Sequence, residues 1–196
     1  MKIVRDWLFK ILLLSSIPAL ASSSAALFGG FESKPEKGQI SFSNPGYEIS
    51  HILKDGAPFI KPEMEGAGSK SEPGQPDLPT MSTYYAVEPG KIFTINASIK
   101  ESEVIENVEV VPFETWNSQP TGVIEKGVTY QQSSSFPANI ATVSDPMVFR
   151  DIVMVQVSVT PFQYNPVSKA LTVIQEIDLE LVESGETIVP YIPQKK

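Results

Sequence analysis

The chain has 196 residues, no cysteine, one histidine and a formal net charge of −8 at pH 7. The lack of thiols excludes thiolate catalysis and thiolate metal sites, and one imidazole cannot build a multi-histidine zinc site. The negative charge argues against nucleic-acid binding, which depends on Lys and Arg neutralising phosphates. No cofactor or metal ion is therefore expected.

The first residues are typical of an export signal. Lys2 and Arg5 give a basic start, a short apolar run follows, and residues 19–21 have the small-x-small form that signal peptidase accepts. The apolar run is much shorter than the roughly 20 residues that span a bilayer. We therefore predict a signal peptide over residues 1–21, a periplasmic or extracellular location, and no membrane attachment after cleavage.

The remaining chain divides by composition. Residues 22–46 are rich in Ser, Gly, Lys, Glu and Pro, which predicts a flexible leader. Beyond it, short β-rich runs alternate with turn residues, and the 17 prolines of the chain would break almost any long helix. We predict one β-domain over residues 47–190 and a basic tail over residues 191–196.

Alternating apolar residues predict the strands. Strands are expected at 92–99, at 104–111 and at 152–160, where four alternate valines share one face and the partly apolar opposite face indicates a central strand. A turn at 161–169 would join this strand to the next, at 171–182, as an antiparallel hairpin. Several strands without intervening helices predict an all-β antiparallel sandwich or jelly roll.

Two polar features are candidates for a metal site or a catalytic site. Glu176, Asp178 and Glu180 lie on one strand face, where they would either hold Ca²⁺, meet a basic surface, or simply face solvent. Their alternate spacing is what any solvated strand face shows, so we interpret them as such a face. His51, in an alternating run with no nucleophile nearby, is interpreted as structural.

Four stretches stand out in order along the chain. The first, 74–80, reads Gly-Gln-Pro-Asp-Leu-Pro-Thr and leads into an aromatic run. The second, 104–112, is valine-rich and ends in Pro, and the third, 130–137, has a Tyr before Phe-Pro. The fourth extends over 149–171 and contains Pro-Phe-Gln-Tyr-Asn-Pro at 161–166.

Together these stretches resemble the N-terminal propeptides of gingipain-type cysteine peptidases, over roughly residues 47–182. Pro76 and Pro79 would stiffen an extended entry into the sheet. Tyr164 and Phe162 are expected to cap the end of the hairpin, with the Tyr164 hydroxyl in water. The residues that carry the resemblance are Gly74, Pro76, Leu78, Pro79, Pro161, Tyr164, Asn165 and Pro166.

The resemblance implies a non-catalytic pro-domain that inhibits a secreted, caspase-like cysteine endopeptidase and assists its folding. The partner would be the catalytic domain, in the same precursor or as a separate chain, so this chain is either stand-alone or a truncated precursor. In such pro-domains a basic side chain enters the specificity pocket. Arg150 and Lys126 are the candidates, although Arg150 would equally pair with a neighbouring carboxylate.

Two further alternatives stay open. Lys195 and Lys196 would suit cleavage by a Lys- or Arg-directed peptidase, or form an ordinary solvated tail. The whole domain would alternatively be an extracellular binding module for carbohydrate or a protein surface, with Trp116, Tyr84 or Tyr85 stacking on sugar rings.

Overall fold

The computed structural model describes residues 29–34, 37–54, 56–114 and 125–186. The predicted signal peptide, the tail at 191–196 with its two lysines, and Trp116 lie outside these residues. None of the described segments is a helix long and apolar enough to cross a membrane. The elements are β1 Phe31–Ser33, β2 Gln39–Ser43, β3 Glu48–Lys54, β4 Ala57–Glu63, β5 Gly68–Ser69, β6 Pro79–Ala86, β7 Lys91–Ile105, a 3₁₀ helix Val128–Gln131, β8 Ala141–Val143, β9 Met147–Phe149, β10 Ile152–Val159, β11 Phe162–Asn165 and β12 Ala170–Glu186.

The strands form two antiparallel five-stranded sheets and one separate hairpin, β3–β4. In the first sheet, β7 pairs along β12, whose other edge holds β11 and then β2, with β1 beyond β2. In the second sheet, β6 pairs with one edge of β10, while β9 and β8 share the other edge and β5 lies beyond β6. The all-β antiparallel fold class is confirmed.

The two sheets enclose one core. The alternate valines of β10, from Val153 to Val159, are all buried, as the sequence predicted. Leu171, Val173, Ile177 and Leu179 of β12 are buried in the first sheet and belong to the same cluster as the β10 valines at 157 and 159. Burying one such side chain stabilises the fold by about 1.5–3 kcal/mol, an upper estimate because unfolded chains already bury some apolar surface.

The predicted flexible leader over 22–46 is wrong for its described part, because β1 and β2 lie within it. Ile40 and Phe42 of β2 are buried, and the Phe42 ring meets the Phe31 ring edge-on with centroids 5.0 Å apart. Strands of three and five residues show too little alternation to detect. β2 is stabilised by pairing with β12, more than 130 positions away, and β1 by pairing with β2, which composition does not reveal.

The predicted hairpin between 152–160 and 171–182 is also wrong, since β10 and β12 belong to different sheets. The chain crosses from the second sheet to the first at the buried Pro161, which has no N–H with which to continue a ladder. The hairpin partner of β12 is instead β11, where Phe162 lies opposite Val173. Part of the predicted turn is therefore a strand.

Because β11 joins the first sheet, Tyr164 is a core residue and its predicted wet hydroxyl is wrong. The ring is fully buried, and the hydroxyl donates a hydrogen bond to the Val108 carbonyl at 3.2 Å. Burial raises the pKa of Tyr164 to about 12. Phe162 is buried too, with its ring edge-on to Tyr47.

The strands predicted at 92–99 and 104–111 differ from the structure in their bounds. The first lies within β7, which runs without a break to Ile105, and only the first two residues of the second belong to β7. Asn107 follows with a φ of 59°, a left-handed conformation that ends the strand. Beyond it, Val110 and Val111 are buried without belonging to a named strand.

If β2 belongs to the core, Phe42→Ala will lower the free energy of unfolding by about 3–5 kcal/mol, the usual loss for removing a buried aromatic side chain. Urea unfolding followed by circular dichroism measures the change. Ser41→Ala, on the opposite face of the same strand, is the matched control and should change stability little. An unchanged midpoint for Phe42→Ala would restore the flexible-leader prediction.

Candidate functional site

Arg150 lies at the tip of the β9–β10 hairpin. Phe149 and Ile152 pair across a two-residue turn, and Arg150 occupies its first position with a φ of 58°. A left-handed backbone conformation costs a non-glycine residue roughly 1–2 kcal/mol, so the turn holds Arg150 in an unfavourable conformation. Its guanidinium lies over the Phe149 ring, 5.6 Å from the centroid. The hairpin thus presents a cation and an exposed aromatic ring together.

Lys126 lies in a different environment, in a cluster with Glu109, Phe59 and Tyr130. Its ammonium donates to the Glu109 carboxylate and lies 5.2 Å from the ring centroid of Phe59 and 5.7 Å from that of Tyr130. Glu109 also accepts from the Lys169 ammonium at 3.2 Å. Glu109 therefore joins two lysines from separate loops.

The electrostatics of this cluster favour its charged form. Burial alone would raise the pKa of Glu109, but the hydrogen bonds from Lys126 and Lys169 outweigh it and hold that pKa below its ordinary value. Burial raises the pKa of Tyr130 far above its ordinary value, and its hydroxyl donates to the Val110 carbonyl at 2.7 Å. The carboxylate is thus ionised and the phenol neutral near pH 7.

The backbone of Gly74 makes hydrogen bonds to residues that precede and follow Lys126 in the sequence. Its N–H donates to the Phe113 carbonyl at 3.1 Å, and its own carbonyl accepts from the Gly127 N–H at 2.8 Å. The φ of Gly74 is 82°, and a Cβ there would lie 3.0 Å from the Gly127 nitrogen. Only glycine fits this close approach, which fixes the residue next to Lys126.

The other motif residues support the same region. Pro76 bridges Pro112, Leu78 is buried, and the buried Pro79 begins β6. These residues hold the entry of the second sheet against the segment that follows β7. Proline suits the positions because they need extended backbone.

Asn165 shapes the β11–β12 turn that delivers Lys169. Its side-chain oxygen accepts from two following backbone N–H groups, both at 3.1 Å, and its side-chain nitrogen donates to the Ser133 carbonyl at 2.7 Å. Pro166 in this turn is buried. Lys169 ends the turn with a φ of 53° and reaches Glu109. Motif residues from the first and fourth stretches therefore support the segments that carry Lys126 and Lys169. Arg150 also belongs to the fourth stretch, but it lies on the β9–β10 hairpin.

An exposed surface that the sequence analysis missed lies on the second sheet. The outward residues of β6, β9 and β10 are apolar or aromatic at the end nearest Arg150. We define the apolar outer face as Tyr84, Ala86, Met147, Phe149, Ile152 and Met154. The apolar residues opposite the valines of β10 predict a central strand, and β10 is central, with β6 on one edge and β8 and β9 on the other. Its valines are buried, whereas on the opposite face Ile152 is exposed and Met154 is half-buried.

The remaining candidates are placed as follows. Asp178 binds Lys34 and, at 3.1 Å, Lys100, and hydrogen bonds from these lysines lower its pKa. In the ranges that the structure describes, no group of three or more His, Asp or Glu side chains is placed to hold a metal ion. Tyr84 is exposed, Tyr85 is half-buried against the core, and the two do not form a stacking platform on one face.

Comparison with known proteins agrees on one family. The sequence profile of Propeptide_C25 matches residues 32–188. Gingipain R1 of Porphyromonas gingivalis is 34% identical over 122 residues, which cover 59% of this chain and 12% of that protein. Gingipain R2 of the same species is 32% identical over 127 residues, 59% of this chain and 16% of that protein. The chain thus spans less than a fifth of these relatives.

Two solved structures share the fold. The complex of Porphyromonas gingivalis RgpB pro- and mature domains contains a chain that superposes with a TM-score of 0.69 and 24% identity, over 83% of this chain and 87% of that chain. A structure on the zymogenic latency of gingipain K from Porphyromonas gingivalis superposes with a TM-score of 0.62 and 18% identity, over 82% of this chain and 96% of that chain.

We predict that Glu109→Gln destabilises the fold in a pH-dependent way. Because the folded-state pKa of Glu109 is depressed, its contribution is present above its ordinary pKa of 4.5 and is lost as the pH falls through the folded-state value. The difference in unfolding free energy between wild type and variant should be largest near pH 7 and shrink below pH 4.5. Glu106→Gln, on the same segment, is the control, and a difference that does not vary with pH would contradict the assignment.

Gly74→Ala should destabilise the fold by about 1–2 kcal/mol through its left-handed φ alone, with a further loss from the close approach to Gly127. Gly68→Ala is a suitable control, because a Cβ at that position meets nothing within 4 Å. Urea unfolding of both variants measures the difference. Equal midpoints would show that the backbone contact at Gly74 is not required.

Proposed function

Because the chain belongs to the Propeptide_C25 family, the propeptide domains of gingipain-type peptidases, we propose that it binds and inhibits the catalytic domain of a secreted gingipain-like cysteine endopeptidase and assists its folding. The chain is not itself catalytic, since it is homologous to gingipain pro-regions and contains no cysteine. Its partner is supplied by the same precursor or by a separate chain. The site of action is outside the cytoplasm, because residues 1–21 would direct the chain to export.

The observation that supports this proposal most directly is the shared architecture. The pro-domain of RgpB was solved together with its mature domain, and the two-sheet sandwich described above superposes on that structure over 83% of the chain. The part of the gingipains that matches this chain is small, which fits a module acting on a larger catalytic partner.

Arg150 is the first candidate for the inhibitory contact. A guanidinium pairs with a pocket carboxylate through two parallel hydrogen bonds, which gives both affinity and orientation. The two-residue turn places Arg150, with its left-handed φ, at the exposed tip of a hairpin of the second sheet. A backbone fixed by strand pairing reduces the entropy lost when a side chain enters a pocket.

Lys126 is the second candidate for the inhibitory contact. The motif residue Gly74 fixes the adjacent backbone, so the family resemblance points to this region. Its ammonium, however, is already bound to Glu109. To enter a pocket, Lys126 would have to exchange that carboxylate for one of the peptidase, which costs part of the energy gained.

We predict saturable inhibition when the purified chain is titrated against the mature domains of gingipain R1 and gingipain K with a fluorogenic substrate. Truncating one partner of a buried charge pair costs about 2–5 kcal/mol. The inhibition constant should therefore rise at least about 30-fold in whichever of Arg150→Ala and Lys126→Ala removes the contact.

Matched variants separate direct from indirect effects. Lys169→Ala breaks the other bond of Glu109 and leaves Lys126 intact, so it should inhibit like wild type. Arg150→Lys keeps the charge but loses the planar fork, and an intermediate loss is expected. If the folded chain neither inhibits nor binds any gingipain-type peptidase, the proposal is wrong and glycan binding at Trp116 and Tyr84 becomes the next function to test.

A further inference from the structure

The apolar outer face is one contiguous patch. Ile152 lies directly opposite Phe149, and Met154 lies opposite residues of both neighbouring strands. One rung further, Tyr84 lies opposite Gln156, whose side-chain nitrogen donates to the Tyr84 hydroxyl at 3.3 Å. Directly opposed residues share a face of an antiparallel sheet. Tyr84, Phe149 and Ile152 are 55%, 60% and 49% exposed, so the patch faces solvent in the isolated chain.

The first sheet shows what an ordinary solvated face of this protein looks like. Its outward side carries the carboxylates of β12, and those carboxylates are paired with Lys34, Lys100, Gln39 and Asn96. The five strands of the second sheet, in contrast, contain no Asp, Glu, Lys, Arg or His. Both sheets have the same architecture, so the lack of charge on the second is not a requirement of the fold.

Charged side chains lie at the margins of the patch, where Asp151 shares the β9–β10 turn with Arg150. Arg150 lies at one end, above Phe149. At the other end, the Lys70 ammonium donates to the Ser158 hydroxyl at 2.8 Å, which in turn lies 2.8 Å from the Ser82 hydroxyl. The patch therefore has an uncharged centre, with Arg150 and Asp151 at one end and Lys70 at the other. Its complement is a surface with an apolar centre and polar or charged groups at the margin.

We propose that the apolar outer face is the surface on which the catalytic domain of the peptidase docks, with the Arg150 hairpin at one end of the interface. This inference rests on the proposed function and specifies where the contact is made. Phe149 and Ile152 flank Arg150 in the same hairpin, so a partner that receives Arg150 must also cover them. Contiguous exposed apolar patches mark interaction sites, and Tyr, Phe, Met and Arg are the residues enriched there.

The test compares two matched double variants of the full chain for binding to immobilised mature domains of gingipain R1 and gingipain K by biolayer interferometry. Ile152→Thr with Tyr84→Thr removes apolar area from the face and places at both positions a β-branched residue that suits a strand. Ile99→Thr with Val104→Thr makes a similar change on β7 of the first sheet, at residues 43% and 56% exposed. All four positions are exposed, so urea midpoints should stay close to wild type.

We expect the face variant to bind at least about tenfold more weakly and the β7 variant to bind within about twofold of wild type. Tyr84→Thr alone, on a different strand from the Arg150 hairpin, should also weaken binding measurably. Wild-type binding with an unaffected face variant would overturn the inference and leave the proposed function intact. Absence of wild-type binding would instead overturn the proposed function. Self-association of the free chain that the face variant abolishes, without loss of peptidase binding, would assign the face to a second copy and overturn the inference too.

Discussion

The fold depends on the pairing of β12 along both of its edges. One edge pairs with β7 over nearly the whole strand, and the other holds β11 and β2 in succession. Irregularities in the register around Glu176 let this strand bend without losing its partners. Every other strand of the first sheet therefore pairs with β12 directly or, in the case of β1, through β2. Its partners begin more than 60 positions away at β7 and more than 130 away at β2, so the sheet closes only when distant parts of the chain meet.

This dependence explains which parts of the fold the sequence could predict. Long strands such as β10 and β12 show a period of two over many residues, and the alternate valines predicted to share one face of β10 are all buried. Short strands such as β1 and β2 show almost no period, because their stability comes from a partner and not from their own residues. The change of sheet at Pro161 was missed for a related reason. A proline between two apolar runs is compatible with a turn or a crossing, and only the packing of Phe162 and Tyr164 distinguishes them.

The sequence identified the residues of the candidate site but not their connections. Gly74 and Asn165 were singled out by resemblance, and the structure supplies the physical reason: both support the surroundings of Lys126. The decisive residue, Glu109, stood in an ordinary valine-rich run. It lies 17 positions from Lys126 and 60 from Lys169, so no local pattern could have shown that one carboxylate joins them. Charge networks of this kind follow from topology, which has to be known first.

The two sheets differ in the side chains that face away from the core, and this difference bears more directly on function than either candidate cation does. A sandwich needs only one apolar face per strand, so the outward residues are not constrained by the core and reflect what the surface meets. On the first sheet they include carboxylates paired with lysines, beside exposed apolar residues such as Val104. On the second, Tyr84, Phe149 and Ile152 belong to one contiguous exposed apolar patch, and such patches mark interaction sites. Because Arg150 lies at the end of this same face, the proposed partner surface would account at once for the left-handed turn, the exposed rings and the absence of charge on five strands.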